Sequence, residues 1–172
     1  MDDIIQSARS VLSTTPERWL LMTEALAADL LQRQPAAGEW SALECLQHLI
    51  DTEHIFPFRV RCLLAGEDFP AFDPDQQGTK APSDQSPGDI AREFAHMRAE
   101  SLALLAGVTE ADLDRRARHQ ALGQVTMGEM LHEWAGHDLM HTVQGERALM
   151  QPFIDGCGPW QSYFTDHWVR QG

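Results

Sequence analysis

The sequence predicts an all-α protein: a four-helix bundle with long connectors after the second and third long helices and an aromatic C-terminal segment docked on it. Three observations carry that expectation. Apolar residues recur at three- and four-residue spacing over four long segments, the period of a helix with one buried face. Two of those segments open on a capping box, a Ser or Thr with a Glu three residues on. No stretch alternates apolar and polar residues as a half-buried strand would. At 172 residues the chain suits a single domain, residues 1–172, with a sizeable core.

In order, Ile4, Ile5, Ala8, Val11 and Leu12 open an amphipathic stretch. Thr14-Thr15-Pro16-Glu17 reads as a helix restart, with Thr at the cap and Pro at the first helical position. Trp19, Leu20, Met22, Leu26, Leu30 and Leu31 continue the apolar face to about Gln34, so this region is either one kinked helix or two short ones. Pro35 and Gly38 end it. Ser41 and Glu44 cap the second long helix, whose stripe is Leu43, Leu46, Ile50, Val60 and Leu64 and whose end is Gly66. Pro57 inside it should bend the helix or leave one carbonyl free. Pro70, Pro74, Pro82 and Pro87 mark residues 66–88 as a long loop, the kind that often serves as a lid. Asp89 to Leu105 is the third long helix, and residues 107–125 a second connector with a short turn at Thr109–Leu113. Thr126 and Glu129 cap the last helix, expected to run to about Gln151 before Pro152. The tail carries Trp160, Tyr163, Phe164 and Trp168, too aromatic for a disordered end.

A formal net charge of -13 argues against nucleic acid and against anionic membrane surfaces, both of which call for a basic patch. Mean hydropathy is -0.33 and no apolar run reaches the ~20 residues of a membrane span. The first residues show neither a basic nor an apolar leader region. Cys45, Cys62 and Cys157 are dispersed and odd in number, which favours a reducing, cytoplasmic setting.

The chemistry centres on His137-Asp138-Leu139-Met140-His141. Two imidazoles four residues apart share one face of a helix and can reach a single metal ion. Met130, Glu133, Gln144 and Ala148 fall near that face, and Glu133 is a possible acceptor for an imidazole N–H. A catalytic metal needs a third ligand, for which His48, His54, His96, His119, His132 and His167 are the candidates; His48 lies two turns into a well-capped helix. A His-Glu-x-x-His protease is disfavoured, because Asp138 stands where the catalytic Glu belongs. Glu53 sits in the apolar stripe of the second long helix, one turn from Ile50, where carboxylates are rare unless paired or functional. It is either an acid/base or supporting group, or a partly exposed or salt-bridged one. Arg59, on the same side as His48, would hold a substrate carboxylate if it points inward, and is otherwise a surface charge.

Three blocks, Gly38-Glu39-Trp40-Ser41 through His48 to Glu53, Gly123 to Leu131, and His137 to Gln144, together resemble the DinB-like (YfiT-like) superfamily, with the segment Phe69-Pro70-Ala71-Phe72-Asp73-Pro74 as a further likeness near the pocket mouth. The family is one of damage-inducible four-helix bundles that includes metal-dependent hydrolases and bacterial thiol transferases. The resemblance implies a three-histidine site of His48, His137 and His141 holding a divalent ion, zinc or nickel. It implies a small-molecule substrate, a low-molecular-weight thiol as cosubstrate, and a homodimer. Such an ion can lower the pKa of a water or hold a thiolate at neutral pH, giving a hydrolase or an S-transferase. The resemblance leans to the transferase, with Glu53 and Arg59 as the candidate catalytic residues. A bundle that binds metal or ligand without turnover is the rival reading.

Overall fold

The computed structural model describes residues 3–71 and 85–169. Its order is α1 (Ile4–Ala25), α2 (Ala28–Gln32), α3 (Ala42–Ala65), α4 (Pro87–Leu105), β1 (Arg116–His119), β2 (Gly123–Thr126) and α5 (Met127–Gly156), with 3-10 turns at Glu110–Asp112 and Gly158–Phe164.

Local chemistry sets the helix ends. The Asp3 carboxylate accepts from the amides of Ile5 and Gln6, and the boxes Ser41/Glu44 and Thr126/Glu129 form as the sequence indicates. Gly66, at φ 72, takes the left-handed turn that ends α3. The first region is a continuous α1 followed by a short separate α2. Thr14 and Thr15 do not cap a new helix; both hydroxyls donate back to the Val11 carbonyl, so the turn closes and the helix passes through Pro16. Pro16 has no N–H for the carbonyl of Leu12, and Arg98 supplies the missing donor through Nη1 at 2.9 Å. Helix α5 likewise continues through Pro152 to Gly156 rather than stopping at Gln151.

Two apolar clusters report the helix directions. One joins Ile5 and Leu12 of α1, Val60 and Leu63 of α3, Leu105 of α4, and Met127 and Trp134 of α5. The other joins Trp19, Leu43 and Leu46, Ile90 and Phe94, and Leu149. The beginnings of α1 and α5 therefore lie beside the ends of α3 and α4. The order is up, down, down, up, with α1 and α5 parallel and α3 and α4 parallel. Parallel neighbours cannot be joined by a tight turn, which accounts for the long connection between α3 and α4. Its residues 72–84, with Phe72, Asp73 and Pro74 of the likeness and most of the expected lid, lie outside the described residues.

The expectation of no strand is overturned. Arg116–His119 and Gly123–Thr126 pair antiparallel, with His119 opposite Gly123, and Phe69 bridges to His119 from the end of the α3 loop. Four-residue strands made of Arg-Ala-Arg-His and Gly-Gln-Val-Thr carry too few apolar residues to alternate visibly. Gly123, at φ 82, supplies the positive φ that a three-residue hairpin loop needs. The tail docks through its backbone and with Phe164 and Trp168 half-buried. The carbonyl of His167 accepts from Arg147 and Gln151, and the Val169 amide donates to Gln151, while Trp160 and Tyr163 face solvent. Among the described residues no helix is long and apolar enough to cross a membrane.

Candidate metal centre

Helix α3 carries His48 two turns beyond its capping box, and α5 carries His137 and His141 one turn apart on the face toward α3. Because these two helices run antiparallel, the three rings meet in one layer. One nitrogen from each lies within 4.8 Å of the others, and Nε2 of His48 stands 3.1 Å from Nε2 of His137. His48 and His141 are buried, and His137 is half-buried. Trp40, the residue before the α3 cap, stacks on His141 at 5.6 Å between centroids and tilts against His48 at 5.0 Å. Phe56 closes the other side, 5.3 Å from His137 and stacked on Trp134.

Burial, then the neighbouring His141, pushes His48 down to about 4 from its usual 6.5. His137 is pushed down to about 3 by burial first, then by His141 and His48, and further by the charges of Arg98 and Arg59. His141 is also lowered by burial, against the opposing pull of Gln144 and Asp138. All three rings are therefore neutral at neutral pH, the state in which imidazole is a ligand. The amide oxygen of Gln144 lies 2.9 Å from Nδ1 of His141, which makes Nδ1 the donor and leaves Nε2 its lone pair. Nδ1 of His137 is buried with no hydrogen-bond partner among the described residues. Three neutral nitrogen donors facing one another fit a divalent cation. Glu133, the expected supporting acceptor, is exposed, and among the described residues no hydrogen bond joins it to His137 or His141; Gln144 takes that part for His141.

The sequence from residue 12 to 144 matches the DinB superfamily. The chain belongs to that superfamily. Its fold is similar to that of YfiT from Bacillus subtilis, described as a probable metal-dependent hydrolase with an unusual four-helix bundle topology; the TM-score is 0.76, identity 16%, and 89% of each chain is covered. At that identity the likeness speaks for the bundle alone. No curated protein matches the chain significantly.

Within this DinB bundle, Glu53 and Arg59 have different surroundings from the histidines. Glu53 is buried and faces α4: Oε1 accepts from Arg98 Nε at 2.8 Å and Oε2 from the Ser101 hydroxyl. The same guanidinium grips Asp138, between the two α5 histidines, with Nη1 at 2.6 Å and Nη2 at 3.0 Å from its two oxygens. Arg59 is half-buried over the Phe69 ring, 5.6 Å from its centroid, with Nη2 3.3 Å from His119 Nε2. His54, His96, His132 and His167 are exposed and outside the cluster. Sequence reasoning missed Trp40 and Arg98. Trp40 stood beside the quoted capping box, and its place before the ligand-bearing helix was the available signal. Arg98 gave none beyond being a cation in an apolar helix face. A surface cleft of about 390 Å³, lined by Asp68, Phe69, Pro70, Arg118 and Gln120, includes none of the three histidines.

Proposed function

We propose that His48, His137 and His141 hold a divalent ion, zinc or nickel, and that the protein uses it to join a low-molecular-weight thiol to a small electrophilic molecule. The observation that carries this reading is the convergence of three neutral imidazoles between α3 and α5. When bound, such an ion supplies Lewis acidity that brings the pKa of a coordinating thiol or water toward neutrality. The chain's own residues do the rest. Gln144 fixes the tautomer of His141, Asp138 and Arg98 hold the α5 turn that carries both its histidines, and Trp40 and Phe56 exclude water from two sides. None of the three cysteines is suited to be the nucleophile: burial pushes Cys45 up to about 12, Cys62 is raised by burial as well, and Cys157 bonds the Ile154 carbonyl on the far end of α5. The sulfur would then come from the cosubstrate. Glu53, with both oxygens engaged, serves in this reading as a positioning group.

Hydrolysis is the second reading, supported by the likeness of the fold to YfiT, described as a probable metal-dependent hydrolase. Zinc- and nickel-loaded protein incubated with thiols and an electrophile such as a haloarene or epoxide, and separately with ester and amide substrates, distinguishes the two. Thiol adducts lost in His137→Ala support the transferase; turnover of esters without thiol supports the hydrolase; neither, with metal bound, supports a binding protein. The homodimer is part of the same proposal, supported by Leu139, Met140 and Val143, which lie exposed together on α5. Light scattering of wild type and Val143→Asp tests it.

A further inference from the structure

The contact between Arg59 and His119 contains a contradiction that identifies a ligand. His119 Nδ1 accepts two backbone hydrogen bonds from its own hairpin loop, from the amides of Ala121 at 3.1 Å and Leu122 at 3.2 Å. An atom accepting two N–H groups carries no proton, so the neutral ring holds its hydrogen on Nε2. Arg59 has only donors. Its Nη2 nevertheless lies 3.3 Å from that Nε2, so two N–H groups face the same space with no acceptor between them among the described residues. His119 is 7% exposed, and among the described residues Arg59 forms no ion pair, Glu133 acting on it only through space.

We propose that Arg59 and His119 form a binding subsite for one carboxylate of the substrate or cosubstrate, whose oxygens accept from both side chains. A carboxylate fits better than a phosphate, because the pair offers one positive charge and one neutral donor. The Phe69 ring under the guanidinium excludes water from one side, strengthening the charge-assisted bonds. The hairpin holds its donor rigidly: Phe69 pairs to both flanks of His119, through Arg118 and Gln120, and the loop amides fix the ring. Arg59 stands eleven residues, just over three full turns, beyond His48 on the same face of α3, a rise of roughly 16 Å. Its charge reaches the histidines, adding to the lowering of His137. The ligand would carry its carboxylate several bonds from its reacting atom. That last point rests on the metal-centre reading; the subsite does not.

The test is nitrogen-15 NMR on metal-free protein, so that acetate has no ion to bind. Long-range proton–nitrogen spectra should show His119 as the Nε2–H tautomer. Acetate should shift the His119 ring and Arg59 Nε signals saturably, and its affinity should fall roughly tenfold or more in Arg59→Gln and less in Arg59→Lys. An Nδ1–H tautomer overturns the proposal, since His119 would then simply accept from Arg59. Acetate shifts that do not saturate, or that persist in Arg59→Gln, overturn it too, as does phosphate binding tighter than acetate. Zinc stoichiometry on the same samples separates the two ideas: acetate binding without zinc uptake would sink the metal centre and leave the subsite standing.

Discussion

Two clusters of polar side chains meet on α5 at adjacent residues, His137 and Asp138, and they are built on opposite terms. Around Arg98 every strong donor finds an acceptor: two carboxylates from α3 and α5, and the Leu12 carbonyl that Pro16 leaves free on α1. Its charge is held, its pKa raised because the two carboxylates outweigh burial. Around the histidines, nitrogen faces nitrogen at 3.1 Å, and one buried Nδ1 has no partner among the described residues. Both clusters are buried and charged or chargeable, so burial alone would not tell them apart. Saturation does. A cluster of opposite charges that satisfy one another holds the helices; a cluster of neutral imidazoles whose ring nitrogens converge is suited to take a cation between them.

Breaking the saturated cluster should have the largest effect. Arg98→Ala leaves two carboxylates and a carbonyl buried without their cation, and should lower stability by about 3–5 kcal/mol in denaturant unfolding. Next comes Gly145→Ala, one turn beyond His141. A Cβ there would stand 2.6 Å from the Trp19 ring, and the overpacking should cost about 1–3 kcal/mol. On the histidine side, Gln144→Ala removes the acceptor that fixes His141, and should weaken zinc binding about 10- to 100-fold in competition titrations while thermal stability of the metal-free protein barely moves.

A pH slope tests the histidine side independently of metal. His48 and His137 titrate below their ordinary value in the folded chain, so below pH 6.5 the unfolded chain takes up protons that the folded chain refuses until about 4 and about 3. Stability of the metal-free protein should therefore be flat above neutrality and fall as pH drops from 6.5 toward 4. His48→Gln should flatten part of that slope; an unchanged slope would mean that these rings are not held neutral.

Much of this was legible in local chemistry. The capping boxes at Ser41 and Thr126 are written within four residues, and the pair His137 and His141 within five. His48 needed a resemblance to join them, since nothing local ties α3 to α5. What stayed hidden was long-range or weakly apolar. Arg98 meets Glu53 and Asp138 only because α4 lies diagonally across from α5 and beside α3, a topology that no spacing encodes. The hairpin is held by Phe69 and by the His119 ring rather than by an alternating face. Thr14 and Thr15 look like caps, and only the closing of their turn onto Val11 makes them interior residues.

The central claim is most directly tested by metal analysis of protein purified without chelators, joined to X-ray absorption at the metal edge. Wild-type protein should hold about one divalent ion per chain with nitrogen ligands at roughly 2.0–2.1 Å for zinc, lost in His48→Ala, His137→Ala and His141→Ala, each retaining its helical circular dichroism. Folded wild-type protein that takes up no zinc or nickel, or variants that keep the ion undiminished, would contradict it.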